Sequence, residues 1–526
     1  MKSFLNLFNK FSFSAIAIIT ISILAFLTIF AFTTTASMAY NMDEITYFVQ
    51  DNLFINILYL ILFITFIYFI SSCLSRVRIK YLFIVSSILI TLILLYLISD
   101  INLQPTWDAF RVIKAALEFG KGDYTMMYPG GYIYEYPFQI PIVLYFWTLS
   151  LIFGKNYIAF QLINILFLLG TYYFIVKSIY VISNNKRSTI IGIILITFFF
   201  PLHMYVLFLY SNIPSIFFLV AGLYYVIKYL TNYKKKYLII AFLLTGTATL
   251  FKGTAYIGII AIVILLFLDC LKHFLKSTII ITLLSLLIII SVPSFMNSVI
   301  SSFDDQIDIS NNIYTEIALV MGTSWGPRGA GWHSGWYEKF LYETYNRDIS
   351  LMKEDGNKRL KDNLKNLFSD FNELNKFFSN KLGSMWVNPE FQGFWTIQAN
   401  KNEQWGLGDK EAQSFLFIKY NPDNDNYGYF TGTYMLGNLN QIIRIYLNTL
   451  QNAIYLFALY WLVKSFKTLK TTNTLYLLTF IGGFLFLSIW EAKAQYSVLF
   501  FILLFPNASD GLRLFLDDIK KLTNRI

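Results

Sequence analysis

The sequence predicts an all-α polytopic membrane protein of about twelve transmembrane helices, with outer-face juxtamembrane helices and a large mixed extracytoplasmic segment. Of its 526 residues, 56% are hydrophobic and only 14% are charged, a balance that ordinary soluble enzymes do not reach. Apolar runs of about 20 residues, the length needed to cross roughly 30 Å of hydrocarbon, recur along the chain. Helices are expected because an open sheet would leave backbone groups unpaired in lipid.

Twelve runs are predicted to span the membrane. They lie at 11–36, 53–72, 81–99, 157–182, 188–208, 211–230, 237–251, 254–270, 276–294, 441–466, 473–490 and 495–512. The first run could instead be a secretory signal, because the first ten residues are basic and Ser37-Met38-Ala39 resembles a cleavage site. Its loss would leave the rest of the topology unchanged.

Basic residues in the short loops set the predicted orientation, with both termini cytoplasmic. This holds only if the apolar stretch 139–153 does not cross, so we expect it to be an interfacial helix on the outer leaflet. Segments 100–156 and 295–440 then lie outside. The net charge of +10 is explained by the cytoplasmic anchors, and nucleic-acid binding is not invoked. Cys73 and Cys270 predict no disulfide, and no metal-site spacing is visible.

Four regions follow from this topology. Residues 1–80 form two additional N-terminal helices, and 81–294 form a transmembrane core whose first outer loop is 100–156. Residues 295–440 form an extracytoplasmic loop or domain, and 441–526 form the C-terminal helices and a cytoplasmic tail. No internal repeat is visible in the sequence.

The first outer loop begins with the stretch QPTWDAFRVIKAALEFGKGDY. Phe110, Ile113 and Leu117 fall on one side at helical spacing and charged residues fall on the other, which predicts an amphipathic surface helix. Asp108 belongs to its first turn, where the helix dipole favours a carboxylate. Physical chemistry alone leaves two roles open for Asp108, a helix-start acid and a catalytic base. A tyrosine-rich stretch broken by prolines follows and is suited to roof a cavity over this acid.

Three motifs in this order carry a family resemblance: the acid-bearing loop ending in LIFGKNYIAFQLIN, the turn TATLFKGTAYIGIIAIVI and the late stretch EAKAQYSVLFFILLFPNASDG. Together they resemble the GT-C class of membrane glycosyltransferases, which includes protein O-mannosyltransferases and lipid A aminoarabinose transferases. The resemblance implies a sugar donor carried on polyprenyl phosphate, inversion at the anomeric carbon and Asp108 as general base. Two departures stand out, since the first two helices are extra and Asn212 stands where many relatives carry a second acid. Glu135 could substitute for that acid.

Transfer from such a donor requires positive charge near the departing phosphate. Lys252 lies between two short spans with no carboxylate nearby in sequence, although a lysine at a helix end can also simply snorkel. Lys493 is a second candidate, but Glu491 could hold it in a structural salt bridge. The leaving group carries less charge than a pyrophosphate, so no metal or other cofactor is required.

The long outer segment contains the Gly-rich tract GTSWGPRGAGWHSGW, which lacks phosphate-loop spacing. Arg328 is available there for an anion and His333 for a proton, and the tryptophans suit sugar faces or an aromatic core. Residues 350–382 read as one or two amphipathic helices. The candidates for substrate binding are Glu135, Tyr136, Asn212, Trp332, His333, Trp336 and Tyr496.

The predicted function is therefore transfer of a sugar to a cell-envelope acceptor on the outer face of a cell membrane. A polysaccharide polymerase would be expected to carry more arginines in its outer loops, and a lipid-linked sugar transporter or flippase would place charges at mid-membrane. A composition rich in Lys, Asn and Ile favours a bacterial source, where a wall polysaccharide, teichoic acid, lipid or protein could be the acceptor.

Overall fold

The computed structural model describes residues 2–38, 44–101, 103–273, 275–309, 313–397 and 438–523. These ranges are almost entirely helical, as predicted. Within them, nine helices are long and apolar enough to cross a membrane, or up to eleven if each of two bent helix pairs is one span.

The N-terminal part contains three helices, and the first two flank an antiparallel hairpin that the sequence did not predict. Its elements are α1 (Lys2–Thr33), β1 (Thr34–Met38), β2 (Thr46–Gln50), α2 (Leu53–Cys73) and α3 (Ile79–Ile101). Thr34 of β1 pairs with Gln50 of β2, and Met38 pairs with Thr46. The backbone N–H of Ala36 also donates to the carbonyl of Val387, 2.9 Å away. The hairpin thus connects the first two helices to a segment 350 residues later in the chain.

The predicted amphipathic helix of the first long loop is confirmed as α4 (Trp107–Phe119), whose buried face includes Val112, Ile113 and Ala116. Two further helices follow, α5 (Tyr132–Glu135) and α6 (Ile140–Phe153). The chain bends by 103° between the 125–135 and 137–153 pieces. This bend falls at Pro137, where a helix cannot continue with normal hydrogen bonding.

The central bundle contains α7 (Tyr157–Ser183), α8 (Lys186–Thr197), α9 (Phe200–Leu207), α10 (Asn212–Asn232), α11 (Lys235–Phe251), α12 (Tyr256–His273) and α13 (Lys276–Ser301). Helix α10 is buried along most of its length. A Cβ on Gly222 of α10 would stand 2.4 Å from Cγ2 of Thr245 in α11. The glycine therefore permits close packing of these two helices, as small residues commonly do in membranes.

The segment after α13 folds into α14 (Tyr314–Gly322), β3 (Trp325–Gly326), β4 (Gly329–Ala330), α15 (Gly335–Thr344), α16 (Ile349–Ser369), α17 (Phe371–Trp386) and α18 (Gly393–Thr396). We call α14–α18 the loop segment. One or two amphipathic helices were predicted over residues 350–382, and the structure has two, α16 and α17. The predicted boundary at residue 294 lies inside α13, which continues to Ser301.

The C-terminal helices are α19 (Asn438–Ser465), α20 (Thr471–Ile489), α21 (Ala494–Phe501) and α22 (Phe505–Thr523). Every predicted span coincides with a helix or a broken helix. However, α11 has only 17 residues, and α19 carries Asn, Gln and Arg in its first half. Neither of these two helices is among the nine candidate spans. The nine, together with the bent pair α8–α9 counted as one span and with α11 and α19, would give the predicted twelve, and α6 would not cross.

A buried polar network joins the ends of α8, α19 and α22 away from the long loops. Asp510 accepts hydrogen bonds from Ser188 at 2.7 Å, from the indole of Trp461 at 3.0 Å and from Arg513 at 2.7 Å. Because each of these polar groups has a hydrogen-bond partner, the network is suited to fixing the register of the three helices.

Candidate active site

A cavity of about 1270 Å³ opens where α9 meets α10, α11 meets α12 and α20 meets α21. Helices α4–α6 and the beginning of the loop segment complete its wall. The cavity is larger than the roughly 300–1,000 Å³ typical of small-molecule sites. Its lining combines many aromatic rings with carboxylates and lysines.

Asp108 lines this cavity from the first turn of α4 and is partly buried. The preceding residue, Trp107, has a φ of 51°, a left-handed conformation that costs a residue with a side chain about 1–3 kcal/mol. Its ring stacks on Trp395 of the loop segment, with centroids 6.1 Å apart and planes inclined by 22°. The stacking of the two indoles holds the strained turn that carries Asp108.

Burial, and then the charge of the Asp108 carboxylate, raises the pKa of two tyrosines on the cavity wall, Tyr132 and Tyr210. The guanidinium carbon of Arg111 lies 5.0 Å above the ring of Tyr132. Tyr210 accepts a hydrogen bond from the amide of Gln139, which connects the turn between α9 and α10 to the first loop.

Lys252 occupies the turn between α11 and α12 and points into the same cavity. Its Nζ donates to Oδ1 of Asn212 at 2.6 Å and lies 4.9 Å from the ring centroid of Tyr496. Burial, and then the charge of Lys493, lowers the pKa of Lys252 to about 7, although Glu491 opposes this change. This ammonium group is partly desolvated and has no carboxylate within ion-pairing distance among the described residues, so it is suited to bind an anion.

Lys493, just before α21, also lines the cavity, and its side chain is only 12% exposed. Burial would lower its pKa, but the carboxylates of Glu44, Glu491 and Asp108 raise it above the ordinary value. Its Nζ lies 3.8 Å from Oε1 of Glu44. Lys493 therefore remains protonated where Lys252 begins to lose its proton.

Glu44 comes from the N-terminal part of the chain, next to the hairpin strand β2. Its carboxylate accepts from Nη1 of Arg328 at 2.9 Å and from Nε2 of Gln392 at 2.9 Å. The two additional N-terminal helices, which had no assigned role in the sequence prediction, thus deliver a carboxylate to the edge of the site.

Two further carboxylates, Glu338 and Glu491, stand on the cavity wall and are held by phenols. Tyr136 donates to Oε2 of Glu338 at 2.6 Å. Tyr314 and Tyr496 donate to Oε1 of Glu491 at 2.9 Å and 2.6 Å. Burial raises the pKa of Glu338 to about 7, the Tyr136 hydrogen bond opposes this, and neighbouring carboxylates add to it.

His333 and Glu135 complete the titratable lining of the cavity. Burial lowers the pKa of His333, whose Nε2 lies 3.9 Å from Oε2 of Glu338. Burial raises the pKa of Glu135, while Arg347 and Arg111 lower it.

The loop segment anchors the short stretch that carries Glu491. The backbone N–H of Ala492 donates to the carbonyl of Gly331 at 2.6 Å. The buried Nζ of Lys381 donates to the carbonyl of Trp490 at 2.7 Å and to that of Gly322. Gly331 has a φ of +74°, and a Cβ there would lie 2.8 Å from Cδ of Lys381. The glycine-rich tract is therefore docked on the site through its backbone.

The comparison with known proteins agrees with this architecture. Residues 138–296 match the family model described as dolichyl-phosphate-mannose-protein mannosyltransferase, a family of the GT-C class. This segment is similar to GT-C glycosyltransferases. No curated protein and no solved structure matches the chain. The family match confirms the predicted resemblance and supports a membrane glycosyltransferase that uses a lipid-linked sugar.

The matched segment contributes part of the cavity wall, including Lys252, while Asp108 and the late charged stretch lie outside it. The predicted site residues that line the cavity are Asp108, Glu135, Tyr136, Lys252, His333, Lys493 and Tyr496. Asn212 is buried behind Lys252 and contacts it directly.

Besides Asn212, three predicted site residues lie outside the cavity lining. Arg328 is paired with Glu44, so its predicted donor-phosphate role has no support from this geometry. Trp332 is buried, and its Nε1 donates to Ser384. Trp336 is 65% exposed and stacks on Phe340. Trp332 packs as a core aromatic, which is the alternative that the sequence had left open, whereas Trp336 lies on the surface.

The sequence prediction missed several residues that shape the cavity. Tyr210 and Tyr314 were indistinguishable from the many tyrosines at the membrane boundary, and Glu44 and Glu338 lie in stretches without a motif. Glu491 had been considered only as a salt-bridge partner of Lys493. Its carboxylate instead accepts from two phenols, and the carboxylate nearest Lys493 belongs to Glu44.

Proposed function

We propose that the protein transfers a sugar from a polyprenyl-phosphate donor to a hydroxyl group of a cell-envelope acceptor on the outer face of the membrane. The observation that carries this proposal is the meeting of Asp108, Lys252 and Lys493 in one cavity. An acid on a loop helix thereby stands across from two cations at the ends of membrane helices. A lipid phosphate at the membrane boundary would reach these cations without leaving the bilayer.

In the proposed reaction, Asp108 accepts the proton of the acceptor hydroxyl as its oxygen attacks the anomeric carbon. The bond between that carbon and the phosphate oxygen breaks on the opposite face, so the configuration inverts. The lipid phosphate leaves with the bonding electron pair. Preorganised positive charge at that position lowers the barrier because negative charge develops there.

Lys252 and Lys493 are the proposed phosphate ligands. Lys252 is the stronger candidate because its amine contacts an amide oxygen and an aromatic ring and forms no ion pair with a carboxylate of the described residues. Lys493 shares its charge with Glu44, and its role is secondary. The donor is a phosphodiester with one negative charge, so two lysines can neutralise it and we propose that no metal or other cofactor is required.

The proposed orientation places both termini in the cytoplasm and the cavity outside. It rests on the basic residues of the short loops, such as those at 76–80, 234–236 and 464–470, which favour the cytoplasmic side. A bacterial cell membrane is the proposed location, and a wall polysaccharide, teichoic acid, lipid or protein is the acceptor class.

The test is a transfer assay with membranes that carry wild-type protein, Lys252→Ala or Lys114→Ala. Lys114 pairs with Glu118 on the exposed face of α4 and is the matched control. A panel of labelled polyprenyl-phosphate sugars is incubated with a cell-envelope extract, and label is followed into the acceptor. Wild type and Lys114→Ala should transfer label. Lys252→Ala should raise the KM for the donor roughly 10- to 100-fold, since a charged hydrogen bond is lost, and should leave the acceptor KM unchanged.

Two results would count against the proposal. Label that crosses a sealed vesicle while staying on the lipid would identify a transporter. A donor KM that is the same in Lys252→Ala and Lys114→Ala would remove Lys252 from the phosphate site.

A further inference from the structure

Glu338 and Glu491 each present one carboxylate oxygen that has no hydrogen-bond partner among the described residues. These atoms are Oε1 of Glu338 and Oε2 of Glu491. The two residues are only 8% and 1% exposed, and both line the cavity. A buried carboxylate oxygen without a donor is costly, so these positions call for donors from a bound molecule.

The opposite oxygens of the two carboxylates are fixed by the protein. Tyr136 holds Glu338, and Tyr314 together with Tyr496 holds Glu491. The rings of Tyr136 and Tyr314 pack edge to face, with centroids 5.7 Å apart. The carboxylates are thus joined through two contacting phenols, and their open oxygens are oriented before any ligand arrives.

The position of Glu491 points to the sugar of the donor as the missing partner. The hydroxyl group of Tyr496 donates to Glu491, and the ammonium group of Lys252 lies over the ring of Tyr496. A sugar joined to a phosphate at Lys252 would therefore be separated from Glu491 by about the length of the Tyr496 side-chain ring. Resting on the proposed function, we infer that Glu338 and Glu491 form a subsite that binds hydroxyl groups of the sugar on the polyprenyl-phosphate donor.

The chemistry of the two carboxyl groups suits hydroxyl groups. Because the pKa of Glu338 is raised to about 7, this group is partly protonated at neutral pH. A hydroxyl can donate to the charged form and accept from the protonated form, whereas an ammonium group can only donate. The rings of Tyr136 and Tyr314 also offer surfaces for the apolar face of a sugar.

The subsite can be tested by binding, without turnover. Purified protein in lipid nanodiscs is titrated with polyprenyl phosphate and with its mannosyl, glucosyl, galactosyl and pentosyl derivatives. Wild type is compared with Glu338→Gln and Glu491→Gln, which keep an oxygen for the tyrosines. The control is Glu373→Gln, an exposed residue of α17 paired with Lys376.

We expect at least one glycosylated lipid to bind wild type and Glu373→Gln roughly 10-fold more tightly than the bare lipid phosphate. That preference should fall to about twofold or less in Glu338→Gln and in Glu491→Gln, while the affinity for bare lipid phosphate stays within about twofold. A preference that survives in both variants, or is absent from wild type across the panel, would overturn the subsite and leave the proposed phosphate site standing. Failure of every lipid phosphate to bind wild type would overturn the donor class and the subsite together.

Discussion

Raising the pH from 7 to 8 should weaken donor binding about fivefold, because Lys252 loses its proton over this range. Its pKa is lowered to about 7, so the protonated fraction falls from about one half to about one eleventh. A bound phosphate anion favours the charged lysine, so binding takes up a proton and affinity falls as pH rises through 7. Lys493 has a raised pKa and stays charged throughout.

The assay measures the dissociation constant of a polyprenyl-phosphate sugar in nanodiscs between pH 6 and 9. Both proteins compared carry Glu338→Gln, since that carboxyl group also titrates near pH 7. One of them carries Lys252→Arg in addition, whose guanidinium remains charged over the whole range. The affinity should fall toward tenfold per pH unit in the lysine protein and stay flat in the arginine protein. Equal pH dependence in both proteins, or a change below about twofold with lysine, would show that Lys252 does not bind the phosphate through its charge.

Three further predictions follow from the contacts around the cavity. Glu44→Gln should lower stability by about 1–2 kcal/mol, because Arg328 and Lys493 lose their carboxylate partner. Thermal melting beside the exposed control Glu373→Gln checks this, and equal melting would contradict it. Lys381→Met should reduce kcat about tenfold, because the carbonyl of Trp490 loses the hydrogen bond from Lys381. The control Lys381→Arg should retain much of the activity. Equal kcat values for the two variants would show that Lys381 does not position this stretch. Transfer should stay within about twofold of its untreated rate in EDTA, and a loss that divalent cations restore would show that a metal is required.

The helices were predictable because each depends on its own sequence. Apolar runs fixed the spans, and the spacing of Phe110, Ile113 and Leu117 fixed α4. The positions of residues at the ends of predicted spans, such as Lys252, could also be predicted, because a charge between two apolar runs must lie at the membrane boundary. The short hairpin of β1 and β2 was missed because its strands gain stability from contacts with the distant loop segment.

The composition of the cavity was less predictable, because it depends on contacts between distant residues. Glu44 and Arg328 are 284 positions apart, and Tyr136 and Glu338 are 202 positions apart. Neither pairing leaves a local pattern in the chain. The assignment of Arg328 to the donor phosphate was reasonable for an isolated arginine, but its neighbour in space is a carboxylate.

The most direct test of the account is a single-turnover measurement with Asp108→Asn. The variant and its control Asp123→Asn, a substitution in an exposed turn after α4, are saturated with labelled donor and mixed with acceptor. If Asp108 is the base, Asp108→Asn should bind donor with a dissociation constant within about twofold of wild type and transfer the sugar at least about 100-fold more slowly. Transfer at a near-normal rate from the bound donor would contradict the assignment of Asp108 as the base.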